Sequence, residues 1–318
     1  MEPRASILLL AVLAGCGGAS EASGDPPPSE DSAIDGGAEA SADSADVGAE
    51  ADGGPCGCTD YTVPVSAGTI VHASIREISG LAASRTSPGV LWTHNDSGDS
   101  ARLFAIDSAG AFLGELRVSG ATAIDWEDLA VGPCGDASCI WVGDFGDNAT
   151  SRTNDALYRI PEPTIEAKPF ATRTVAADKI PFEYPDGKWN AEALLVHPTT
   201  GEIVIVTKGS SPGVYRFPTP LVAGAKVTLT RVSTPVGLDG VVTGGDVSPC
   251  GDRALLRTYS SLFEYRIGDL GAGLATPPTK VPVGKEAQGE AVAYREGGRG
   301  YFTASEGASV PLLATTCR

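Results

Sequence analysis

Two kinds of polar cluster in this 318-residue chain carry side chains able to do chemistry. The first is short and acidic and runs straight into small apolar residues. It occurs as Glu77-Ile-Ser-Gly-Leu81, Asp125-Trp-Glu127-Asp128-Leu129, Asn190-Ala-Glu192-Ala-Leu194, Thr243-Gly-Gly-Asp246-Val247 and Gln288-Gly-Glu290-Ala-Val292. The second is richer in turn residues: His94-Asn95-Asp96-Ser-Gly-Asp99, then Asp144-Phe-Gly-Asp147-Asn148 with Arg152, then Lys208, Arg257 with Tyr259, and Glu306.

Carboxylates crowded together cannot all stay ionised unless cations neutralise them. Calcium meets that need with about six to eight oxygen ligands at about 2.3–2.6 Å, and the expected ligands are Asp96, Glu127, Asp144, Asp147 and Asp246. Arg152, Lys208 and Arg257 offer a metal-free alternative, in which ion pairs balance the acids. A third reading treats Asn-Asp-Ser-Gly and Gly-Asp-Phe-Gly-Asp-Asn as turns whose side chains bond their own backbone. His94 beside Asp96 has the composition of a general base, and Glu127 and Asp147 complete the catalytic candidates. Glu77, Asn95, Asp128, Asn148, Arg152, Glu192, Lys208, Arg257 and Glu290 are the residues expected to face a ligand. Gly209-Ser-Ser211-Pro-Gly213 matches a hydrolase string, but it falls between two strands, whereas a nucleophile elbow joins a strand to a helix.

Such clusters need a scaffold that brings them together. From Cys56 onward the chain reads as short runs of Val, Ile, Leu, Tyr and Thr broken by Gly, Pro, Asp and Asn, the signature of many short strands. The acidic-then-apolar motif recurs with its apolar residue at 81, 129, 194, 247 and 292, spaced 48, 65, 53 and 45 residues apart. Each interval holds four strands, and repetition at this period indicates a radial array. The last repeat runs out one strand short. The segment 61–72 (YTVPVSAGTIVH) precedes the first repeat and supplies the missing strand. The expected fold is all-β: one β-propeller of five four-stranded blades, closed by the N-terminal strand. Six blades would follow if the 65-residue interval concealed a further one.

Cysteine placement agrees with this layout. With strands lettered A to D outward from the axis, Cys56, Cys58, Cys134, Cys139, Cys250 and Cys317 all fall at one end of the propeller, and the acidic clusters at the other. Three disulfides are expected, one of them Cys134–Cys139, with Cys56 and Cys58 sharing Cys250 and Cys317. The Cys spacings and the three histidines suit zinc poorly.

The N-terminus reads as an export and anchoring device. Residues 1–15 contain an apolar run too short to span a bilayer, as in a signal peptide. That run ends in Leu13-Ala-Gly-Cys16, which resembles a lipobox and implies lipidation at Cys16. Residues 16–55 form an expected acidic tether with ten acidic and no basic side chains, too polar to offset the entropy of ordering. Residues 56–318 make up the propeller domain. The chain carries a formal charge of −17, of which the domain holds −7, an acidity that excludes a nucleic-acid surface. The expected location is extracytoplasmic, lipid-anchored to the cell envelope with the outer membrane preferred. The expected partners are the membrane, through the lipid, and an exposed ligand; the chain is expected to be a monomer.

The set Glu77-Ile-Ser-Gly-Leu81, Trp92-Thr-His-Asn-Asp-Ser-Gly98, Asp125-Trp-Glu-Asp-Leu129, Gly143-Asp-Phe-Gly-Asp-Asn148 and Gln288-Gly-Glu-Ala-Val292 resembles a group of secreted bacterial propeller lipoproteins. It is more distantly similar to the phytase-like propellers, also described as having esterase-like activity of phytase. That resemblance implies calcium on the acidic face and, for phytases proper, a metal-bound water attacking a phosphoester. No phytase catalytic set maps onto this chain residue by residue. Two functional readings stay open: a metal-dependent phosphoester or ester hydrolase, and a non-enzymatic protein- or glycan-binding propeller.

Overall fold

A computed structural model describes residues 56–318. The expected signal peptide, the expected lipidation site Cys16 and the expected tether lie outside the described residues. The chain opens with β1 (Val65–Ile70) and then builds blade 1 from β2 (Ile78–Ala83), β3 (Val90–Asn95), β4 (Arg102–Asp107) and β5 (Phe112–Ser119). Blade 2 contains β6 (Trp126–Cys134), β7 (Ala137–Asp144), β8 (Ala156–Pro161) and, beyond a short strand β9 (Arg173–Ala176), β10 (Asp178–Glu183). Blade 3 has β11 (Ala191–Val196), β12 (Ile203–Thr207), β13 (Val214–Arg216) and, after β14 (Val227–Thr228), β15 (Thr230–Ser233).

Blade 4 has β16 (Val242–Val247), β17 (Arg253–Thr258), β18 (Leu262–Arg266) and, past the one-turn α1 (Leu270–Gly273), β19 (Thr279–Val281). Blade 5 is β20 (Gly289–Tyr294), β21 (Tyr301–Ser305), β22 (Val310–Ala314) and β1, which pairs antiparallel with β22. The five-bladed expectation and its closure by the N-terminal strand both hold.

The long 65-residue interval contains no sixth blade. Its surplus forms β9, which adds to blade 1 in parallel with β5. β14 does the same one blade on, pairing in parallel with β10. In the sequence β9 and β10 form one nearly continuous run of β-forming residues, as do β14 and β15. In the structure each run first straps the outer edge of the preceding blade and then fills its own. An edge strand left bare is a template for unwanted pairing, and these straps cover two of them. Blade 4 uses α1 for the same purpose: Arg216 pairs with Asp269 at 2.6 Å, and Ser233 donates to the Gly271 carbonyl at 2.5 Å.

Each blade carries apolar side chains on both faces, so the core lies between blades. Five buried clusters occupy the five interfaces. Trp92, Leu129 and Tyr158 sit between blades 1 and 2, and Leu194, Ile205 and Phe182 between 2 and 3. Leu195, Leu256 and Tyr265 fill the next interface, Leu255, Val292 and Tyr301 the fourth, and Leu81, Phe104 and Leu312 the last. Trp126, beside the acidic cluster in the sequence, is 1% exposed within the first of these and unavailable to a ligand.

The lead-in to β1 is fastened both to blade 4 and to the segment that follows β22. Cys56 bonds Cys250 and Cys58 bonds Cys317, with Cα separations of 5.9 and 5.2 Å, while Cys134–Cys139 spans a hairpin at 5.8 Å. Arg253 donates to the Cys58 carbonyl and the Tyr61 hydroxyl to Glu264. A disulfide stabilises chiefly by restricting the unfolded chain, more so for distant residues. Cys58 and Cys317 are 259 residues apart, Cys134 and Cys139 only five. Replacing Cys58 and Cys317 by serine should cost about 2–5 kcal/mol and lower Tm by roughly 5–15 °C. The Cys134→Ser/Cys139→Ser variant should lose less than half as much. Thermal unfolding of both variants checks the order, and equal losses would contradict it.

Candidate functional site

The site begins with a break in the sheet ladders. In each inner strand the pairing with the next strand slips by one residue, at Ser79-Gly80 in β2, Glu127 in β6, Glu192 in β11, Thr243 in β16 and Glu290 in β20. A bulge of this kind leaves one residue unpaired and re-aims its side chain. Two of the five positions carry hydroxyls that staple neighbouring blades: Ser79 donates to the Glu127 carbonyl, and Thr243 Oγ1 to the Gly289 carbonyl at 2.8 Å. The other three carry glutamates, so a single backbone device on three blades sends Glu127, Glu192 and Glu290 to the channel mouth.

There they meet the loops. One carboxylate oxygen each from Asp96, Asp125 and Glu127 lies within 4.8 Å of the other two. Glu127 is 5% exposed, and burial, then Glu192, Asp96 and Asp125, push its carboxyl well above the ordinary range. Glu127 in turn acts on Glu192 through a side-chain hydrogen bond that draws the Glu192 carboxyl down. Burial lifts Glu192 to about 7 against the pull of Lys208, whose Nζ stands 2.9 Å from Glu192 Oε1. Glu290 is pushed up to about 8 by burial and by Glu192, and Asp96 to about 6 by burial with Asp125 and Glu306 adding to it. Glu290 Oε1 accepts from Gln288 at 3.1 Å, while its buried Oε2 has no partner. Gly146 lies so close to Glu127 and Asp125 that a Cβ would strike both carboxylates, so the loop can only seal this side of the mouth as glycine.

Behind the mouth stands a supporting layer. Arg152 donates to Asp144 Oδ1 at 2.7 Å and to the Gly146 carbonyl at 2.6 Å, and its backbone N–H donates to Asp147 Oδ2 at 2.8 Å. Asp144 Oδ1 also accepts the Asp125 N–H at 3.1 Å. Asn190 accepts the Asp147 N–H at 2.9 Å and donates to Glu192 and to exposed Asn148, both at 3.1 Å. Asn95 accepts the Arg76 and Glu77 N–H groups and donates to Ser74 and Asp99. Asp144, Asp147, Asn95 and Arg152 therefore shape the loops rather than face the opening.

Several sequence expectations need correcting. Arg257 is fully buried between blades 4 and 5, bonded to Glu286 and to the Ala291 carbonyl, and takes no part in the mouth. His94 is fully buried, edge-on to Trp126 at 5.7 Å, its Nδ1 against the Asn95 carbonyl; burial lowers it to about 4, which keeps it neutral. It cannot meet a substrate. Asp128 points into the channel between strands, where its carboxylate accepts N–H groups of Leu129, Leu194 and Gly245 and cross-ties three blades.

Asp246 lies away from the cluster because the fourth repeat was aligned two residues out. By hydrogen-bond register Gly245, two residues past the Thr243 bulge, matches Leu129, two past Glu127. Asp246 thus sits further down its strand, bonded to the Val247 and Tyr294 N–H groups. Asp125 was missing from the expected ligand set, although its position two residues before Glu127 was a sufficient signal. Exposed Glu77 borders the mouth and adds its charge to Asp96 and Glu306.

Compared with protein-family models and with curated proteins, the chain finds no match in either. Fold and site define it as a five-bladed propeller with a carboxylate-lined mouth.

Carboxylates raised in the folded state bind protons that the unfolded chain releases near pH 4, so folding stability falls as pH rises through their folded values. For the metal-free protein that window runs from about 4 up to about 8, the value for Glu290. Urea unfolding in chelator should show a falling midpoint from pH 5 to 8.5. Glu290→Gln should flatten the slope and raise the midpoint at pH 8.5. A midpoint that climbs over this range would refute the assignment.

Proposed function

We propose that this chain is a lipid-anchored, extracytoplasmic binding propeller whose acidic mouth takes a calcium ion and, through it, an exposed ligand. The observation that carries the reading is the packing of Asp96, Asp125 and Glu127 within 4.8 Å, beside a buried Glu290 oxygen left without a partner. All the donors are hard oxygens, the type calcium selects. Lys208 is the one cation bonded to the glutamates of the mouth among the described residues, and a single ammonium cannot balance all of them once they ionise. A divalent ion would take the place of the protons these raised carboxyls hold and relieve the repulsion.

Export agrees with the three disulfides, which persist outside the reducing cytoplasm. No helix among the described residues is long and apolar enough to cross a membrane, so attachment at Cys16 by lipid is the proposed anchor. Calcium, when bound, would supply a positive centre able to hold an anionic group of the ligand. Asp96, Asp125 and Glu127 would hold it, with Glu290 and Glu192 next to them.

A calcium titration of the purified chain followed by thermal unfolding tests this. Tm should rise with calcium as expected for binding to the native state alone, and more at pH 8 than at pH 6, because fewer protons must leave. Glu127→Gln should abolish the rise. An unchanged Tm at millimolar calcium would overturn the metal assignment. Phosphomonoester, carboxyl-ester and lactone substrates, assayed with calcium and with chelator, separate the hydrolase from the binding module. Turnover lost on chelation and in Glu127→Gln would identify the enzyme.

A further inference from the structure

At the opposite end of the channel from the acidic mouth lies a cavity of about 320 Å3, at the small end of the range for small-molecule sites, about 300–1,000 Å3. Its lining comes from the lower ends of the inner strands of blades 1, 2, 4 and 5 and the turns that follow them. By strand register, half-buried Asp246 is the deepest charged group. Val131, Val247 and Tyr294 form the next level, and Arg85 and Arg295 stand lowest, beside the opening.

The charges in this cavity are separated. Asp246 accepts N–H groups from Val247 at 2.8 Å and Tyr294 at 2.7 Å, which leaves its carboxylate further lone pairs, since two oxygens offer about four. Among the described residues no ion pair reaches it. Neither Arg85 nor Arg295 forms an ion pair or a side-chain hydrogen bond among the described residues; Arg295 lies over the Phe302 ring at 5.2 Å. Burial holds both guanidinium groups below their ordinary values, opposed chiefly by Asp246 on Arg85 and by Glu296 on Arg295, and lifts Asp246 to about 7 against the pull of Arg85. Glu296 is occupied at the rim by the Gly89 N–H at 2.8 Å. Arg85 and Arg295 at the opening, beside a Glu296 already bonded to Gly89, and Asp246 at the floor, with apolar wall between, favour a ligand of the reverse polarity.

We infer that this cavity binds a small zwitterion of the amino-acid class, its carboxylate between Arg85 and Arg295 and its ammonium toward Asp246, its side chain against Val131 and Val247. Guanidinium groups pair with carboxylates through parallel charge-assisted bonds, and the ammonium gives Asp246 a bonded cation where Arg85 acts only at longer range. A simple anion would meet the buried carboxylate of Asp246, and a simple cation the two guanidinium groups. The site is separate from the mouth and does not depend on calcium there.

Isothermal titration of the purified chain tests the inference with L-leucine, L-valine and L-serine, together with 4-methylpentanoate, which is leucine without its amine, and 3-methylbutylamine, which lacks the carboxylate. At least one amino acid should bind saturably, and leucine should exceed either analogue by about tenfold, the effect of losing one charge-assisted contact. Arg85→Gln and Arg295→Gln should each weaken amino-acid binding by a similar factor and leave Tm unchanged, whereas Glu127→Gln should leave it intact. Asp246→Asn touches an inner strand and risks misfolding, so the arginine variants decide. No saturable heat from any of the three amino acids, an analogue that binds as tightly as leucine, or an Arg85→Gln/Arg295→Gln double variant that binds like the parent would overturn the inference.

Discussion

The fold depends on closure of the ring by a strand from the far end of the chain. A blade of this protein has no core of its own, because its apolar residues face its neighbours on both sides. Five blades therefore stabilise one another only as a closed set, and the fifth is incomplete until β1 pairs with β22. The Cys56–Cys250 disulfide, Arg253 and Tyr61 hold the lead-in to β1 against blade 4, and Cys58–Cys317 ties it to the segment that follows β22. The hydrophobic term is proportional to apolar area removed from water, so an open ring would leave one of the five interfaces largely wet. Everything at the mouth rests on this, since Glu127, Glu192 and Glu290 come from three different blades and meet only when the circle is complete.

Position in the ring determines what a repeated residue does. The same bulge on five inner strands gives hydroxyl staples on blades 1 and 4 and glutamates on blades 2, 3 and 5. Asp128 uses the low-dielectric channel differently, trading exposure for N–H donors on three blades. Charge at the top is thus concentrated where the backbone has no partner to offer, and charge in the middle where it has several. Only the first arrangement leaves carboxylates in need of an external cation.

Much of this was visible in the sequence. The period of the acidic-apolar motif, the missing last strand and the gathering of six cysteines on one end follow from spacing alone, because strand alternation and the four-strand repeat are rigid geometric rules. What spacing could not supply was local register. In the fourth repeat two glycines precede Asp246, and a glycine pair gives no side-chain pattern by which to place the bulge, so Asp246 was put two residues too high. The loop acids were ambiguous for another reason. Asp144, Asp147 and Asp96 share one composition, yet Arg152 claims the first two through its guanidinium and its backbone N–H and leaves the third open. Arg257 misled likewise, since its partner Glu286 is 29 residues away and belongs to no motif.

The strand that completes the ring also sets an order of events. Synthesis delivers β1 first and β22 last, so the earliest strand must wait for nearly the whole chain before it meets its mate. During that interval Val63 and Val65, both still largely exposed in the finished protein, flank a bare edge that any passing strand could join. Proteins built this way are vulnerable to exchanging that one segment between molecules, and two chains trading their first strands would make a linked dimer in which every contact seen in the monomer is preserved.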